Sequence, residues 1–311
     1  MRVVQVGAGG WGKNHLRVLS GLGVLGALCD SDPSRCSEYG RKYGIKCYTS
    51  LDDMMGSEEF DGAFVVTPTS THAAITERLL EAGKHVFVEK PLTYSTQEGA
   101  SLARLAQKKN VVLTCGYIER FNPAVETVKK MTDDGRYGKL MMLELRRENR
   151  MPLHIKDVGI IYDTSVHDID TANWLFGDMP QIVFARAGRI RHDHEDYASI
   201  MLGYPGDRIA VITSNWITPE RVRRFDAVFV DAVVSSDFIT QEVTVHGTGG
   251  TSTEGGDGRE PLLLEIQSFL DAIRGSHRHR VAPDEAVGVT TIAEAALRSS
   301  REGVPVRLDT G

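Results

Sequence analysis

The stretch Arg2–His15, RVVQVGAGGWGKNH, constrains this chain more than any other. Val3, Val4 and Val6 form a short β-branched run of the kind buried in a parallel sheet. Gly7, Gly9 and Gly12 follow at once with the spacing G-x-G-x-x-G. Gly7 permits a tight turn out of the strand, Gly9 lets the backbone approach a pyrophosphate, and Gly12 lets the next helix pack close. The spacing predicts a helix from about Trp11 to Leu19, with Gly10, Trp11 and the first N–H groups facing an anionic ligand. An acid, Asp30, closes a second apolar run eighteen residues past Gly12. Strand, turn, helix and distant acid together read as a dinucleotide-binding turn. A carboxylate at Asp30 accepts hydrogen bonds from ribose hydroxyls and repels a 2′-phosphate, which favours NAD; Ser31 and Arg35 leave NADP open.

The 311 residues suit two domains, expected at 1–119 (dinucleotide binding) and 120–311 (substrate binding and oligomerisation). Up to Tyr117 strands and helices alternate, which predicts a doubly wound α/β parallel sheet with strand order 3-2-1-4-5-6. After Phe121 helices are predicted from Pro123 to about Met131 and from Asp163 to Phe176. Strand-like runs follow at Gln181–Arg191, Tyr197–Tyr204, Arg208–Trp216, Phe225–Asp231 and Phe238–His246. The second domain is therefore expected to be α+β with an open, mostly antiparallel sheet. One face of that sheet would pair with another subunit, giving a homodimer or homotetramer. The glycine-rich run from Gly247 to Gly258 reads as a mobile connection, followed by helices at Pro261–Ile273 and Glu285–Arg301.

The formal net charge of −6 argues against a general nucleic-acid binder. No apolar run approaches a membrane span, and the chain enters a strand without a signal-peptide pattern, so a cytoplasmic protein is expected. Cys29, Cys36, Cys47 and Cys115 lack C-x-x-C spacing and read as free thiols. No metal site is expected, because the His and Asp residues have no companions at ligand spacing.

Ligands of doubly wound sheets bind beyond the carboxyl ends of the strands. Asp30, Thr67, Pro68, Glu89 and Lys90 lie there, with His72 just into the next helix, and all are candidate cofactor contacts. Pro91 biases Lys90 toward an extended turn, where its ammonium can polarise a substrate hydroxyl. Asp163 and His167, four apart on the expected helix, can act as an oriented general base. The rival readings are a helix cap and a hydrogen-bonded core histidine.

The glycine motif, Thr67-Pro68…His72, Glu89-Lys90-Pro91, Arg120-Phe121-Asn122-Pro123 and Asp163-x-x-x-His167 resemble the glucose–fructose oxidoreductase / inositol dehydrogenase / MocA family, in order and over most of the chain. The resemblance implies Lys90, Asp163 and His167 as the catalytic group of an NAD(P)-dependent sugar dehydrogenase acting on CH–OH. It implies Lys90, Tyr117, Arg120, Asn122, Arg150 and His167 as substrate contacts. Arg150-Met151-Pro152, Lys156-Asp157-Val158-Gly159 and Asn215-Trp216-Ile217-Thr218-Pro219 are similar to a microbial branch of UDP-N-acetylglucosamine 3-dehydrogenases. Arg146, Arg147, Arg150, His154, Lys156, Arg221, Arg223 and Arg224 suit a nucleotide-sugar pyrophosphate. Tyr162-Asp163-Thr164-Ser165 departs from the more apolar surroundings expected beside the aspartate. The alternatives are a dehydrogenase of a free sugar, inositol or dihydrodiol, and a non-catalytic NAD(P)-sensing regulator.

Overall fold

The chain is described from a computed structural model, over residues 1–152 and 155–308. It divides into two compact units, Met1–Gly116 with Leu262–Val287, and Tyr117–Pro261 with Gly288–Gly311.

The first unit begins β1 (Val3–Val6), α1 (Gly12–Gly21), β2 (Leu25–Cys29), α2 (Pro33–Tyr43), β3 (Lys46–Tyr48) and α3 (Leu51–Ser57). It continues with β4 (Gly62–Val65), α4 (His72–Glu81), β5 (His85–Glu89), α5 (Thr96–Lys109) and β6 (Leu113–Gly116). Its strands form one parallel sheet in the order β3-β2-β1-β4-β5-β6, the order expected from the alternation of strand and helix. The interior strands are buried on both faces, and their sequences are accordingly almost wholly apolar.

Two features depart from expectation. The unit does not end near residue 119: the chain returns to it with most of α8 (Pro261–Ile273). The reason is aromatic packing. Phe269 is fully buried edge-on against Phe64 of β4 and Phe87 of β5, with ring centroids 5.2 and 5.8 Å away. Gly62 permits this approach, because a Cβ there would lie 3.0 Å from Ile273 Cδ1. The second departure concerns the cysteines. Cys29 and Cys115 are buried free thiols, and burial, with Asp30 nearby, pushes the Cys29 thiol up to about 11. Cys36 and Cys47, expected to be free, form a disulfide. Gly44, left-handed at the end of α2, turns the chain back so that β3 runs beside the helix and brings the two Cα atoms to 5.3 Å.

The second unit contains α6 (Pro123–Asp134), β7 (Leu140–Glu148), α7 (Val166–Phe176), β8 (Ile182–Gly188), β9 (Tyr197–Tyr204) and β10 (Arg208–Asn215). Then come β11 (Val222–Phe229), β12 (Ala232–Asp237), β13 (Glu242–Gly247), β14 (Gly250–Gly255), most of α9 (Pro283–Glu302) and β15 (Val306–Arg307). The nine strands form one sheet, β14-β13-β12-β11-β7-β10-β9-β8-β15, antiparallel except for β7 beside β10. The expected strand Phe238–His246 is really the second arm of a hairpin, with β12 before it and a turn at 238–241. Gly247-Thr248-Gly249-Gly250 is no mobile connection. It is a tight turn that pairs Gly247 with Gly250 and launches the polar edge strand β14. The helix expected from Asp163 begins as an α-helix only at Val166; a π-turn, Ile161–Ser165, precedes it. Among the described residues no helix is long and apolar enough to cross a membrane.

Truncating the aromatic plug tests the return of α8: Phe269→Ala is expected to cost about 3–5 kcal/mol in denaturant unfolding of the full chain.

Candidate active site

In the first unit the turn after β1 is shaped for close approach. Gly7 has φ +95°, and a Cβ there would collide with Val66 O. A Cβ on Gly12 would stand 2.6 Å from Gly7 O. The buried Gln5 amide braces the turn by donating to Gly7 O (2.7 Å) and Gly12 O (2.8 Å). Gly9 is open: a Cβ there would meet only Arg35 Nη1, at 3.7 Å. The first turn of α1 has no side-chain cap, whereas α2, α3 and α5 are capped by Asp32, Ser50 and Ser95. Its N–H groups thus suit a phosphate. Asp30 is 6% exposed; Oδ2 accepts from Ala8 N at 2.7 Å and Oδ1 from Asp32 N at 2.9 Å. This fixes the carboxylate at the end of β2, with lone pairs left for ribose hydroxyls. Arg35 lies 3.7 Å from Asp30 and 3.5 Å from Asp32. These residues fit a dinucleotide.

Other expected cofactor contacts stand behind the turn. Glu89 is buried, and its Oε1 accepts from Trp11 Nε1 (2.9 Å) and meets His15 Nε2 (2.7 Å). Its Oε2 accepts from Lys90 N. Burial opposes charge on Glu89, but His15 and Lys90 more than offset it and leave the pKa below the ordinary glutamate value. Glu89 therefore ties α1 to the turn that bears Lys90. His15 was not singled out from the sequence; its signal was its position four residues after Trp11, on the same helix face. His72 is buried, with Nδ1 2.8 Å from Pro91 O and Nε2 2.9 Å from Thr67 O. It bridges the turns after β4 and β5. The Lys90–Pro91 peptide is cis, and Lys90 itself is half-buried. Thr67 accepts from Thr71 Oγ1, and Pro68 is exposed.

In the second unit, residues 158–173 are buried except at two positions, Asp163 and His167. The π-turn widens the backbone between them, a distortion common at functional sites. The next acids on α7 anchor the helix. Arg147 donates from Nε and Nη2 to Asp168 Oδ1 (3.0 and 2.9 Å) and from Nη1 to Glu119 Oε1 (2.9 Å). Arg120 donates from Nε and Nη2 to Asp170, at 2.7–3.1 Å. Burial works against charge on Arg147, but Asp168 and Glu119 more than offset it and hold its pKa above the usual arginine value. Asn122 caps α6 through Ala124 N and donates to Glu119 Oε2 and Phe238 O. Tyr117 is fully buried. Arg120, Asn122 and Tyr117, expected as substrate contacts, are thus built into the interior that supports α7. Arg150 is exposed.

The arginine cluster is divided by strand parity. Arg147 pairs in register with Arg223, and Arg146 with Arg224. The first two side chains face the helices; the other two lie on the opposite face, where Arg146 meets Glu148. Burial and the neighbouring Arg147 lower the Arg223 pKa to about 10. Arg150, Lys156 and Arg221 are exposed, and His154 lies outside the described residues.

A family profile described as an oxidoreductase family with an NAD-binding Rossmann fold matches residues 1–117, and a GFO/IDH/MocA C-terminal domain profile matches residues 125–253. The chain belongs to the GFO/IDH/MocA family. As a member it is an NAD-dependent oxidoreductase. It is 28% identical to a UDP-N-acetylglucosamine 3-dehydrogenase of Acidithiobacillus ferrooxidans, over 96% of each chain. It is 29% identical to an inositol 2-dehydrogenase of Rhizobium meliloti, over 97% of each. A crystal form of the Acidithiobacillus enzyme superposes with a TM-score of 0.90 at 26% identity, covering 97% of this chain and 98% of that one.

Two outcomes follow. Arg120→Met strands the buried Asp170 carboxylate and is expected to cost about 3–5 kcal/mol; adding Asp170→Leu should recover much of it, both read from denaturant midpoints. Because the folded-state pKa of Glu89 is depressed, its contribution to stability is present above the ordinary glutamate pKa and lost as pH falls below it. Unfolding free energy of Glu89→Gln should therefore fall less steeply than that of wild type through the acid range.

Proposed function

We propose that the chain oxidises a ring carbinol of a sugar carried by a nucleotide, in the manner of UDP-N-acetylglucosamine at its 3-position. The observation that carries the reading is the exposure of Asp163 and His167 alone within the buried run 158–173. NAD supplies the hydride acceptor. Lys90, at the end of β5, stabilises the developing alkoxide by charge. His167 or Lys90 takes the hydroxyl proton, and Asp163 orients the imidazole. The substrate class is supported by the Acidithiobacillus relative and by the exposed cations Arg150, Lys156 and Arg221.

A second reading, a free inositol or sugar, is favoured by the parity of the arginines. Arg146 and Arg224 face away from α7, and Arg147 is neutralised by two carboxylates, so less positive charge is left for a pyrophosphate. In either reading the outer face of the nine-stranded sheet pairs with another copy of the chain, as a homodimer or homotetramer. The support is the exposure there of Tyr197, Met201 and Val233.

The test is NADH absorbance on mixing the protein with NAD and either UDP-N-acetylglucosamine or myo-inositol. Turnover of the first alone upholds the nucleotide-sugar reading, and turnover of the second alone replaces it. Lys90→Met should lower kcat by about 10²-fold or more on the preferred substrate. A monomer in light scattering would remove the assembly.

A further inference from the structure

Thr164 and Ser165 are the polar residues that follow Asp163, and the end of β10 meets both. Trp216, 3% exposed, donates from Nε1 to Thr164 Oγ1 at 3.2 Å. Thr164 Oγ1 donates to Asp163 Oδ2 at 3.1 Å. Ser165 Oγ donates to Ser214 Oγ at 3.0 Å. The direction of the first two bonds is set by chemistry. An indole N–H can only donate, so the threonine hydroxyl accepts from it and has one proton left to give; a carboxylate only accepts. The chain Trp216–Thr164–Asp163 therefore runs one way, with each bond polarising the next toward the carboxylate.

The ends of this chain are themselves held. Trp216 N donates to Asp196 O at 2.9 Å, and the indole packs edge-on against His192 with centroids 5.3 Å apart. The neighbouring Glu195 grips the start of the π-turn: its carbonyl accepts from Ile160 N (2.8 Å) and its carboxylate from Ile161 N (3.2 Å). Gly159 makes room for that carboxylate, which occupies the place of a Cβ there.

We propose that Thr164 and Trp216 are positioning residues, a hydrogen-bond relay that aims the Asp163 carboxylate. The relay rests on the reading of Asp163 as the partner of His167. A half-exposed aspartate on a widened turn has several rotamers open to it; a donor fixed to its neighbour selects one.

The chain contains three tryptophans, so the indole N–H signals of the isotope-labelled protein can be assigned with Trp216→Phe. Thr164→Val, nearly isosteric, should move the Trp216 signal, and Asp163→Asn should move it too, through the hydroxyl. A signal that shifts in the first variant and stays in place in the second overturns the relay, whatever the enzyme turns over. In kinetics Thr164→Val should lose about tenfold in kcat while KM for NAD stays within about twofold, and Thr164→Ser should restore kcat to within about threefold. A serine variant as impaired as the valine variant overturns the proposal. Wild-type turnover by Thr164→Val beside a crippled Asp163→Asn overturns the relay alone. Full turnover by Asp163→Asn overturns the parent reading instead.

Discussion

Two buried guanidinium–carboxylate pairs, Arg147 with Asp168 and Arg120 with Asp170, hold the helix from which His167 emerges. Successive helical residues turn by roughly 100°, so Asp168 and Asp170 leave α7 on nearly opposite sides and His167 lies between their directions. A helix gripped from both sides cannot rotate to another facing without stranding a charge in the interior. Isolated apolar packing would tolerate such a rotation; paired forks with fixed geometry do not. Much of the polar interior of the second unit serves this grip. Glu119 shares Arg147, Asn122 holds Glu119, and Phe238 lies under the guanidinium, 4.7 Å from its carbon.

The first unit uses the same means for a different task. Glu89 is a buried acid whose partners, Trp11 and His15, come from the helix that opens the glycine turn. One carboxylate thus couples the start of α1 to the turn where Lys90 begins. His72 does the equivalent between the ends of β4 and β5. In both units the proposed catalytic residues Lys90, Asp163 and His167 are partly exposed, and the charged residues one step behind them are buried and paired.

This arrangement explains what could be read from the chain. The glycine turn, Asp30 and the strand order were legible because each rests on local spacing and on the right-handed crossover rule. Lys90, Asp163 and His167 are proposed as the catalytic group from their residue types and from the family resemblance. The π-turn was not legible, because residues four apart share a face whether the turn holds a normal or a widened coil. The arginines of β7 and β11 read as one cluster in the sequence, and the structure divides them between two sheet faces. A basic side chain on a strand points to one face or the other by parity, and parity is fixed only once the register with neighbouring strands is known. The Cys36–Cys47 pairing and the hairpin at Gly247–Gly250 likewise depend on which segments come side by side.

The return of α8 has a consequence for the order in which the molecule is made. The dinucleotide-binding sheet is complete in sequence by Gly116, but Phe269, which seals Phe64 and Phe87, leaves the ribosome some 150 residues later. During synthesis the first unit must wait, with an apolar face unsealed, while eight of the nine strands of the second unit's sheet are translated. The unit begun first is finished nearly last. A chain cut short before Leu262 would therefore leave its first-made unit without the segment that completes it.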